Sequence, residues 1–449
     1  MSRKPNRPPA QELQRFLEGL YRRAAHGIKL GLDVETGLLR ELGDPQNDLV
    51  FLHVAGTNGK GSVCAMLDSV LRDAGVRVGL YTSPHLVKFN ERIRVDGACI
   101  TDEDLAELTR VVDEADRRQA AQSGREATFF EFTTALAMDY FRRRNAQVVV
   151  LETGLGGRLD ATNVVTPMIS LITRIGMEHT AYLGDTLGAI AGEKGGIIKP
   201  GVPVICGAMP EEARDVIQRM ARERGAPLVF AEEACSVQRL RHDLDGQKIR
   251  LETANNTYAP VRLPLPGAHQ LENVALAVAA LEQLAQIRGV PIVPESIQQG
   301  LESVHWPGRL QVWQREPLVL LDVAHNPDAA KALAVELKDL LKKRPMGLVF
   351  ALLSDKDLAG FLRPLAPLAQ RGWAVPLRTE RALPVEKLVA GAQAAGLPAV
   401  PADLPDAMKA AREWAAGEKG VLCVCGSLFL AGELMELEGF DPAKGGTEP

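Results

Sequence analysis

The segment that most constrains the fold is a glycine-rich turn between an apolar run and an amphipathic run. Residues 49–52 are apolar, residues 53–62 carry three glycines around Lys60, and residues 63–74 have helical periodicity. This order predicts a strand, a loop and a helix. Glycines let backbone N–H groups turn inward toward an anion, while the helix N-terminus and Lys60 add positive charge. The chain is therefore predicted to cradle the phosphates of a nucleoside triphosphate.

The turn departs from the common phosphate-binding loop at two positions. Gly56 lies three residues before Gly59 instead of five, and Gly61 stands where a Ser or Thr would bind magnesium. A metal ion would therefore need protein oxygens from elsewhere in the chain. A Gly-Lys-Gly turn is also found in ordinary loops, but the strand before it and the helix after it favour the phosphate cradle.

Composition narrows the class of protein. A chain of 449 residues with 46% hydrophobic content is expected to form two or three globular domains. The net charge of −5, with both signs scattered, argues against a nucleic-acid or anionic-membrane partner and favours small-molecule substrates. No apolar run approaches membrane-spanning length, and the basic, proline-rich first ten residues lack the apolar part of a signal peptide. Six dispersed cysteines predict reduced thiols in a cytoplasmic protein.

Alternating β-like and helical runs predict the fold class. The pattern is that of an α/β protein with a mostly parallel sheet and helices on its faces. Helices are predicted over residues 132–144 and 187–198, and a strand over residues 373–377. Short antiparallel strands are predicted over Val237–Leu265, at the edge of the first domain. We place a P-loop-type ATPase domain at residues 1–296, and a smaller Rossmann-like α/β domain without its own phosphate loop at residues 297–449.

Three polar residues follow strands of the first domain. In a parallel sheet the carboxyl ends of the strands converge on one crevice, so Ser83, Glu152 and His179 are expected beside the phosphate loop. Ser83 could offer the missing hydroxyl, or belong to a plain turn. Glu152 could face a metal ion, or cap the glycine turn that follows it. His179 could be a ligand or a structural histidine.

Three further charged residues each admit two interpretations. Arg158 and Asp160 are as readily a loop ion pair as substrate-binding groups. Lys194 lies in a glycine-rich helical segment, where burial against an apolar wall would favour its neutral, reactive amine. Composition alone favours the alternative, a surface pair with Glu193.

The second domain contributes a carboxylate at a strand end. Asp322 follows the apolar run Leu318–Leu321, a position where Rossmann-like folds commonly meet ribose hydroxyls. Arg309, in the preceding segment, could reach the phosphates. These two residues predict a nucleotide held between the two domains.

Several short motifs accompany these residues. They are Gly56–Ser62, Thr82–Leu86 followed by Asn90–Arg94, Phe129–Glu131, Gly154–Asn163, Gly192–Pro200, Ala324–Pro327 and Gly426–Leu428. Together they resemble the folylpolyglutamate synthase/dihydrofolate synthase family, a branch of the Mur-ligase-type ATP-dependent amide ligases. The resemblance spans nearly the whole chain. Its departures are modest: Gly195-Gly196 replaces the frequent Ala-Gly, and Asp322-Val323-Ala324 replaces the usual Asp-Gly-Ala.

The resemblance implies a role for each matching residue. Catalytic roles fall to Lys60, Lys194 and His325. The ATP-binding residues are Thr57, Asn58, Gly59, Lys60, Gly61, Ser62, Asn273, Arg309 and Asp322. Two Mg²⁺ ions are implied, with Ser83, Glu152, His179 and a Lys194 carbamylated by CO₂ as ligands. The substrate-binding residues are Ile28, Lys29, Leu30, Thr128, Phe129, Phe130, Glu131, Leu159, Asp160, Ala161 and Ser427.

The activity implied is ATP-dependent ligation of L-glutamate to dihydropteroate and to the γ-carboxyl of reduced folates, through an acyl phosphate. A monomer with small-molecule partners, and without nucleic acid or membrane, is expected. Another Mur-type amide ligase is an alternative, but only about fifty residues precede Gly56, too few for a typical extra substrate domain. A nucleotide-dependent switch is the non-enzyme alternative, and the predicted metal ligands disfavour it.

Overall fold

Two compact units make up the computed structural model, which describes residues 10–24, 31–288 and 290–444. The first unit is drawn from the chain up to Ser83, from Phe89–Glu233 and from Leu276–Ile297. The second unit contains Pro84–Lys88, Ala234–Ala275 and the chain from Gln298 onward. The change of unit after Ile297 lies beside the predicted boundary, and the predicted partition at residues 296/297 stays a prediction.

The predicted antiparallel strands belong to the second unit by their contacts. Leu86, Val87 and Leu244 pack against the hydrophobic core of that unit, which explains why two segments that precede Gln298 are grouped with it. Sequence order alone does not reveal this, because the contacts are made by residues far apart along the chain.

An eight-stranded sheet organises the first unit. Its strands are β1 (Phe51–Ala55), β2 (Val78–Tyr81), β3 (Ile93–Val95), β4 (Ala98–Cys99), β5 (Val148–Glu152), β6 (Ile169–Ile172), β7 (Val204–Cys206) and β8 (Leu228–Phe230). The order across the sheet is β4-β3-β2-β5-β1-β6-β7-β8. Strands β2, β5, β1, β6, β7 and β8 are parallel, and the β3–β4 hairpin adds an antiparallel edge. Every residue of β1 is buried, as expected for a strand covered on both faces.

The helices of the first unit flank this sheet in chain order. They are α1 (Ala10–Ala24), α2 (Asp33–Glu41), α3 (Lys60–Asp73), α4 (Asp102–Ser123), α5 (Phe129–Arg143), α6 (Thr180–Leu183), α7 (Leu187–Lys194) and α8 (Glu211–Glu223). Three further helices contain a boundary between the units: α9 (Ala231–Ala234), α10 (His269–Arg288) and α11 (Pro294–Glu302).

Two sheets organise the second unit. A three-stranded antiparallel sheet has the order β11-β10-β9 and contains β9 (Cys235–Asp243), β10 (Gly246–Thr253) and β11 (Val261–Leu263). A six-stranded sheet contains β12 (Gln311–Gln314), β13 (Leu318–Leu321), β14 (Met346–Phe350), β15 (Ala369–Ala374), β16 (Ala399–Pro401) and β17 (Val421–Cys425). Its order is β12-β13-β17-β14-β15-β16, with only the edge strand β12 antiparallel.

The helices of the second unit alternate with the strands of its larger sheet. They are α12 (Pro327–Leu341), α13 (Leu358–Leu365), α14 (Val385–Ala394), α15 (Leu404–Glu418) and α16 (Leu428–Leu437). The predicted α/β class is thereby confirmed for both units, since each has a largely parallel sheet with helices between its strands.

Several predicted elements have different limits in the structure. The helix predicted over residues 187–198 ends at Lys194, because Gly195-Gly196-Ile197 tightens into a 3₁₀ turn and glycine disfavours a helix interior. The strand predicted over residues 373–377 is Ala369–Ala374 instead. Its first half includes the exposed polar residues Gln370 and Arg371, so it lacks the apolar signal that the prediction used.

Candidate active site

The glycine-rich turn forms the predicted cradle at the end of β1. Gly56 and Gly59 have φ angles of 152° and 93°, a region that favours glycine. A Cβ on Gly56 would lie 1.8 Å from Thr173 Oγ1, so this position admits no side chain. Helix α3 begins at Lys60, earlier than the apolar periodicity predicts, so the lysine stands at the N-terminal end where an anion is favoured.

The segment after β6 braces this cradle. The Thr57 N–H donates to the Arg174 carbonyl at 2.9 Å, and the Thr173 hydroxyl donates to the Asn58 carbonyl at 2.8 Å. The Thr57 hydroxyl bonds with the Gly176 backbone at 3.1 Å. Sequence reasoning did not identify Thr173 and Gly176 as functional residues. The available signal was their position directly after a strand that pairs with β1.

Two lysines converge on one carbonyl of the cradle. Lys60 Nζ donates to the Gly56 carbonyl at 3.1 Å, and Lys194 Nζ donates to the same oxygen at 2.7 Å. Lys194 is 3% exposed. Burial first, and then the positive charge of Lys60, lower the pKa of Lys194 to about 7. A buried amine of this kind spends much of its time neutral near pH 7.

The interpretation of Lys194 as half of a surface pair with Glu193 is therefore wrong. Glu193 instead pairs with the exposed Arg158, whose Nη2 lies 2.8 Å from its Oε1. The alternative of a loop ion pair between Arg158 and Asp160 is not what the structure shows. The glycine-rich segment turns Lys194 inward and leaves its neighbour outside, a difference that composition does not encode.

Ser83 and Glu152 lie side by side. Glu152 ends β5, is 4% exposed, and accepts a hydrogen bond from the Ser83 N–H at 3.0 Å. Hydroxyl and carboxylate oxygens are suitable ligands for Mg²⁺, so this pair fits the metal ion that the resemblance implies. His179 follows β6 in a left-handed conformation with φ 51°, and its Nε2 lies 3.9 Å from Glu178 Oε1.

No group of three or more His, Cys, Asp or Glu side chains is arranged for a metal within residues 10–24, 31–288 and 290–444. The predicted ligand set contains only two residues of those types, Glu152 and His179. Its remaining members are a serine hydroxyl and a lysine that would need carbamylation. The predicted metal site is therefore a prediction still.

The first predicted substrate segment caps helix α5. The Thr128 hydroxyl accepts from the Glu131 N–H, and the Glu131 carboxylate accepts from the Thr128 N–H at 2.7 Å. Glu131 also receives two hydrogen bonds from Arg125, at 2.8 and 2.9 Å, and is 3% exposed. Because its oxygens are committed in this way, Glu131 is positioned to hold the segment in shape.

Aromatic rings follow that cap. The ring of Phe129 stacks on Tyr21 with centroids 5.7 Å apart, and the Arg92 guanidinium lies 5.2 Å from its centroid. Phe130 lies 6.0 Å from Tyr81, and a Cβ on Gly154 would lie 2.5 Å from its ring. Such flat apolar surfaces are suited to an aromatic heterocycle.

The second predicted substrate segment is centred on Asp160. This residue is 4% exposed, and its Oδ2 accepts from the Leu155 N–H at 2.8 Å. Its Oδ1 accepts from the Thr162 N–H at 3.1 Å. Burial raises the pKa of Asp160, and these hydrogen bonds oppose the rise. Leu159 is half-buried and Ala161 is buried beside it. The third predicted segment, Ile28, Lys29 and Leu30, lies outside the described residues.

In the second unit, Asp322 holds two backbone groups. Its Oδ2 accepts from the Leu310 N–H and its Oδ1 from the Ala324 N–H, both at 2.7 Å. Burial raises its pKa, and the positive charge of Arg309 opposes the rise. The carboxylate is thus anchored at the end of β13, where the sequence predicts it.

The remaining predicted residues of the second unit have defined partners. His325 Nδ1 lies 2.9 Å from the Val323 carbonyl oxygen. Asn273 donates to Gln270 Oε1 at 2.9 Å, and Arg309 donates to the Gly308 carbonyl at 3.2 Å. Ser427, 3% exposed, caps α16 by accepting from the Phe429 N–H at 3.1 Å.

Two family models match the chain. The model for the Mur ligase middle domain matches residues 54–281, and the model for the Mur ligase, glutamate ligase domain matches residues 308–428. The chain belongs to the Mur ligase family. The first match contains the phosphate cradle, Ser83, Glu152, His179 and Lys194, and the second contains Arg309, Asp322 and His325.

Individual relatives of this Mur ligase confirm the predicted branch of the family. A dihydrofolate synthase/folylpolyglutamate synthase of Bacillus subtilis (strain 168) is 37% identical over 364 residues, 80% of this chain and 83% of that protein. Mycobacterium tuberculosis folylpolyglutamate synthase complexed with ADP and AMPPCP matches with a TM-score of 0.89 and 31% identity, over 96% of this chain and 99% of that chain. E. coli FolC in complex with DHPP and ADP matches with a TM-score of 0.84 and 32% identity, over 95% and 97%.

All six cysteines of this Mur ligase are free. In the part of the chain that the structure describes, no helix has both the length and the apolar character needed to cross a bilayer.

Proposed function

We propose that this Mur ligase joins L-glutamate to dihydropteroate and to the γ-carboxyl of reduced folates, using ATP. The observation that carries this function is the phosphate cradle at the end of β1, with Lys60 and Lys194 on one carbonyl. It occurs in a chain that is similar over most of its length to a dihydrofolate synthase/folylpolyglutamate synthase. Solved structures similar to this chain hold ADP with AMPPCP, and DHPP with ADP.

The proposed reaction has two steps. A carboxylate oxygen of the acceptor attacks the γ-phosphorus of ATP, the bond to the β–γ bridging oxygen breaks, and ADP leaves. The nitrogen of glutamate's free amino group then attacks the acyl carbon, phosphate leaves with the bonding pair, and the nitrogen releases a proton. Backbone N–H groups of the cradle and the Lys60 ammonium offset the negative charge that gathers on the phosphates in the first step.

We also propose the metal ligands. Ser83, Glu152 and His179 would hold one Mg²⁺, and a carbamylated Lys194 would serve the second. When bound, Mg²⁺ neutralises charge on the transferring phosphoryl group. Two observations support carbamylation: Lys194 is buried, and its pKa is lowered to about 7, which supplies the neutral amine that attacks the carbon of CO₂.

For the second unit, we propose that Asn273, Arg309 and Asp322 contact the nucleotide, and that His325 and Ser427 serve the reaction and the substrate. A monomer is proposed, as expected from the resemblance. A cytoplasmic location is proposed as well, and the six free cysteines support it because thiols persist in reducing compartments.

The test measures ADP release and incorporation of labelled glutamate with MgATP. It compares 7,8-dihydropteroate and tetrahydrofolate as acceptors, with glutamate omitted as the control. Incorporation with both acceptors is expected. Incorporation with one acceptor alone would restrict the function to one synthase step. ATP binding without glutamate-dependent ADP release would overturn the ligase assignment and favour a nucleotide-dependent switch or another amide ligase.

A further inference from the structure

A buried histidine stands in the strand that leads into the phosphate cradle. His53 lies on β1, is 0% exposed, and is absent from the residues to which the sequence assigns a function. Its Nε2 lies 2.8 Å from Thr162 Oγ1, and Thr162 is also 0% exposed. The Thr162 hydroxyl in turn makes a short hydrogen bond to Asp160 Oδ1. The three side chains form one continuous chain of hydrogen bonds.

The direction of donation along these hydrogen bonds follows from the residues at the two ends of the series. An ionised carboxylate only accepts, so the Thr162 hydroxyl gives its proton to Asp160 Oδ1. Thr162 Oγ1 must then accept from His53, which places the imidazole proton on Nε2. Within the described residues His53 Nδ1 has no hydrogen-bond partner. A buried N–H without a partner would cost more free energy than an unprotonated nitrogen without one. The absence of a partner for Nδ1 therefore also places the imidazole proton on Nε2.

The imidazole stays neutral in this setting. Burial lowers the pKa of His53 to about 3, with the positive charge of Lys199 as a smaller cause. The chain of hydrogen bonds therefore does not reverse or switch in the working range of pH. It is a fixed support for one carboxylate oxygen.

The Asp160 carboxylate combines that support with backbone hydrogen bonds from Leu155, Thr162 and Gly154. Asp160 Oδ1 is held by the Thr162 hydroxyl and the Thr162 N–H, while Oδ2 accepts from the Leu155 N–H. Both oxygens thus orient the turn that carries Leu159 and Ala161. Since His53 belongs to β1, the strand that presents the phosphate cradle also anchors this turn.

We propose that His53 and Thr162 are positioning residues for the folate-type acceptor. They fix the Asp160 carboxylate, and with it the Leu159–Ala161 segment, in the orientation that receives a heterocycle with N–H donors. The proposal rests on the proposed function and on the substrate-binding role that the family resemblance implies for Leu159, Asp160 and Ala161. Neither residue would touch the reacting atoms.

The proposal predicts a selective effect on the acceptor. Thr162→Val keeps the size and branching of the side chain but removes the hydroxyl, which interrupts the chain between His53 and Asp160. Because a hydrogen bond to a charged group is lost, the KM for the acceptor should rise about tenfold or more. The KM values for ATP and glutamate, and kcat at saturating acceptor, should change less than about threefold.

Two companion variants separate positioning from packing. Thr162→Ser restores the hydroxyl and should recover most of the acceptor KM. Thr109→Val makes the same replacement at a buried threonine of α4, whose hydroxyl bonds to the Leu105 carbonyl at 2.7 Å, and should leave all three KM values unchanged. His53→Gln, whose amide can still donate, should resemble Thr162→Ser more than Thr162→Val. If Thr162→Val fails to fold, His53→Leu provides the test, because it removes the donor to Thr162 and should raise the acceptor KM, whereas an unchanged acceptor KM in folded His53→Leu would overturn the proposal.

The outcomes distinguish a positioning role from a purely structural one. Wild-type acceptor KM in folded Thr162→Val, or an equal rise in all three KM values, would overturn the positioning role. Failure of Thr162→Ser to recover the acceptor KM would do the same. If the wild-type protein shows no glutamate-dependent ADP release with either acceptor, the proposed function itself fails and this inference falls with it. If the wild-type enzyme is active and the variants have the same acceptor KM as the wild type, this inference fails while the proposed function stands.

Discussion

Two turns of this Mur ligase follow buried parallel strands and lead into helices, yet they hold opposite chemistry. The turn after β1 carries glycines and Lys60, and helix α3 begins at that lysine. The turn after β13 carries Asp322, and helix α12 begins at Pro327 behind an Asn326 cap. The first turn combines glycines, a lysine and a helix N-terminus, and the second is built around a carboxylate.

The difference lies in how each turn uses its backbone. In the first, Gly56 and Gly59 have positive φ angles, which opens the backbone toward an anion. In the second, the N–H groups of Leu310 and Ala324 are already taken by Asp322. An anion is favoured at the first turn, whereas the second favours neutral hydroxyl donors. Two similar strand–turn–helix units thus favour different kinds of ligand group.

The largest expected effect tests the charge at the first turn. Lys60→Ala should lower kcat/KM for glutamate-dependent ADP release by on the order of 10²–10³-fold, because the phosphate charge loses its nearby cation. The melting temperature should stay close to wild type. Lys409→Ala, at an exposed lysine of α15, is the matched control. Wild-type turnover by folded Lys60→Ala would remove the cradle assignment.

The next effect tests the backbone of the same turn. Gly56→Ala places a Cβ 1.8 Å from Thr173 Oγ1 at a positive φ, so the loop must move away from the brace after β6. We expect kcat/KM for ATP to fall about tenfold to a hundredfold, since misplacement by about 1 Å is that costly. Gly124→Ala has a positive φ but open space around the Cβ, and should affect ATP little. Equal kinetics for the two variants would argue against the brace.

A smaller effect tests the second turn. Asp322→Asn keeps only one acceptor oxygen, so either the Leu310 or the Ala324 N–H would face an amide N–H₂ group. The KM for ATP should rise about tenfold, following the cost of one unsatisfied buried group. Asp328→Asn, at an exposed position of α12, is the control. An unchanged KM for ATP, measured by ADP release, would separate Asp322 from the nucleotide.

The smallest expected effect concerns Glu35, a buried carboxyl group that lacks the kind of hydrogen bonds Asp322 accepts. Glu35 on α2 is 0% exposed, and neither of its oxygens has a partner within the described residues. Burial, followed by the charges of Glu131, Asp160 and Asp116, raises its pKa well above the ordinary value. A carboxyl with a raised native pKa stabilises the fold below its ordinary pKa, and that stability is lost as pH rises toward the native value.

Glu35→Gln should therefore stabilise the folded protein more at high pH than at low pH. The gain in melting temperature over wild type should be larger at about pH 8 than at about pH 5, by roughly 2–4 °C. Thermal unfolding of the variant, the wild type and the exposed control Glu114→Gln measures this. A gain that is independent of pH would mean that Glu35 is already ionised in the folded protein.

Much of the fold was predictable because its signals are local. The apolar strands and the amphipathic helices have their own periodicities, and the α/β class follows from their alternation. The limits of elements were less predictable. Helix α5 begins at Phe129 because Thr128 and Glu131 cap it reciprocally, and that cap precedes the apolar periodicity on which the prediction over residues 132–144 relied.

The candidate site divides in the same way. The strand, the glycine-rich turn and the helix that begins near Lys60 were predictable, since these residues are neighbours in the chain. Lys194 is the opposite case, because Glu193-Lys194 looks like a surface pair in sequence, while the structure buries the lysine against a carbonyl 138 residues away. His53 and Thr162 were not predicted, as their partnership spans 109 residues.

The sequence by itself therefore determined the class of fold, the strand–turn–helix unit around Lys60 and the family resemblance. These depend on short-range patterns that the backbone obeys regardless of what packs around them. Only the tertiary structure decided which carboxylates are satisfied, which lysine is buried, and how His53 reaches Asp160. Burial and hydrogen-bond partners are set by groups distant in the chain, and they govern the charge state and orientation of each side chain.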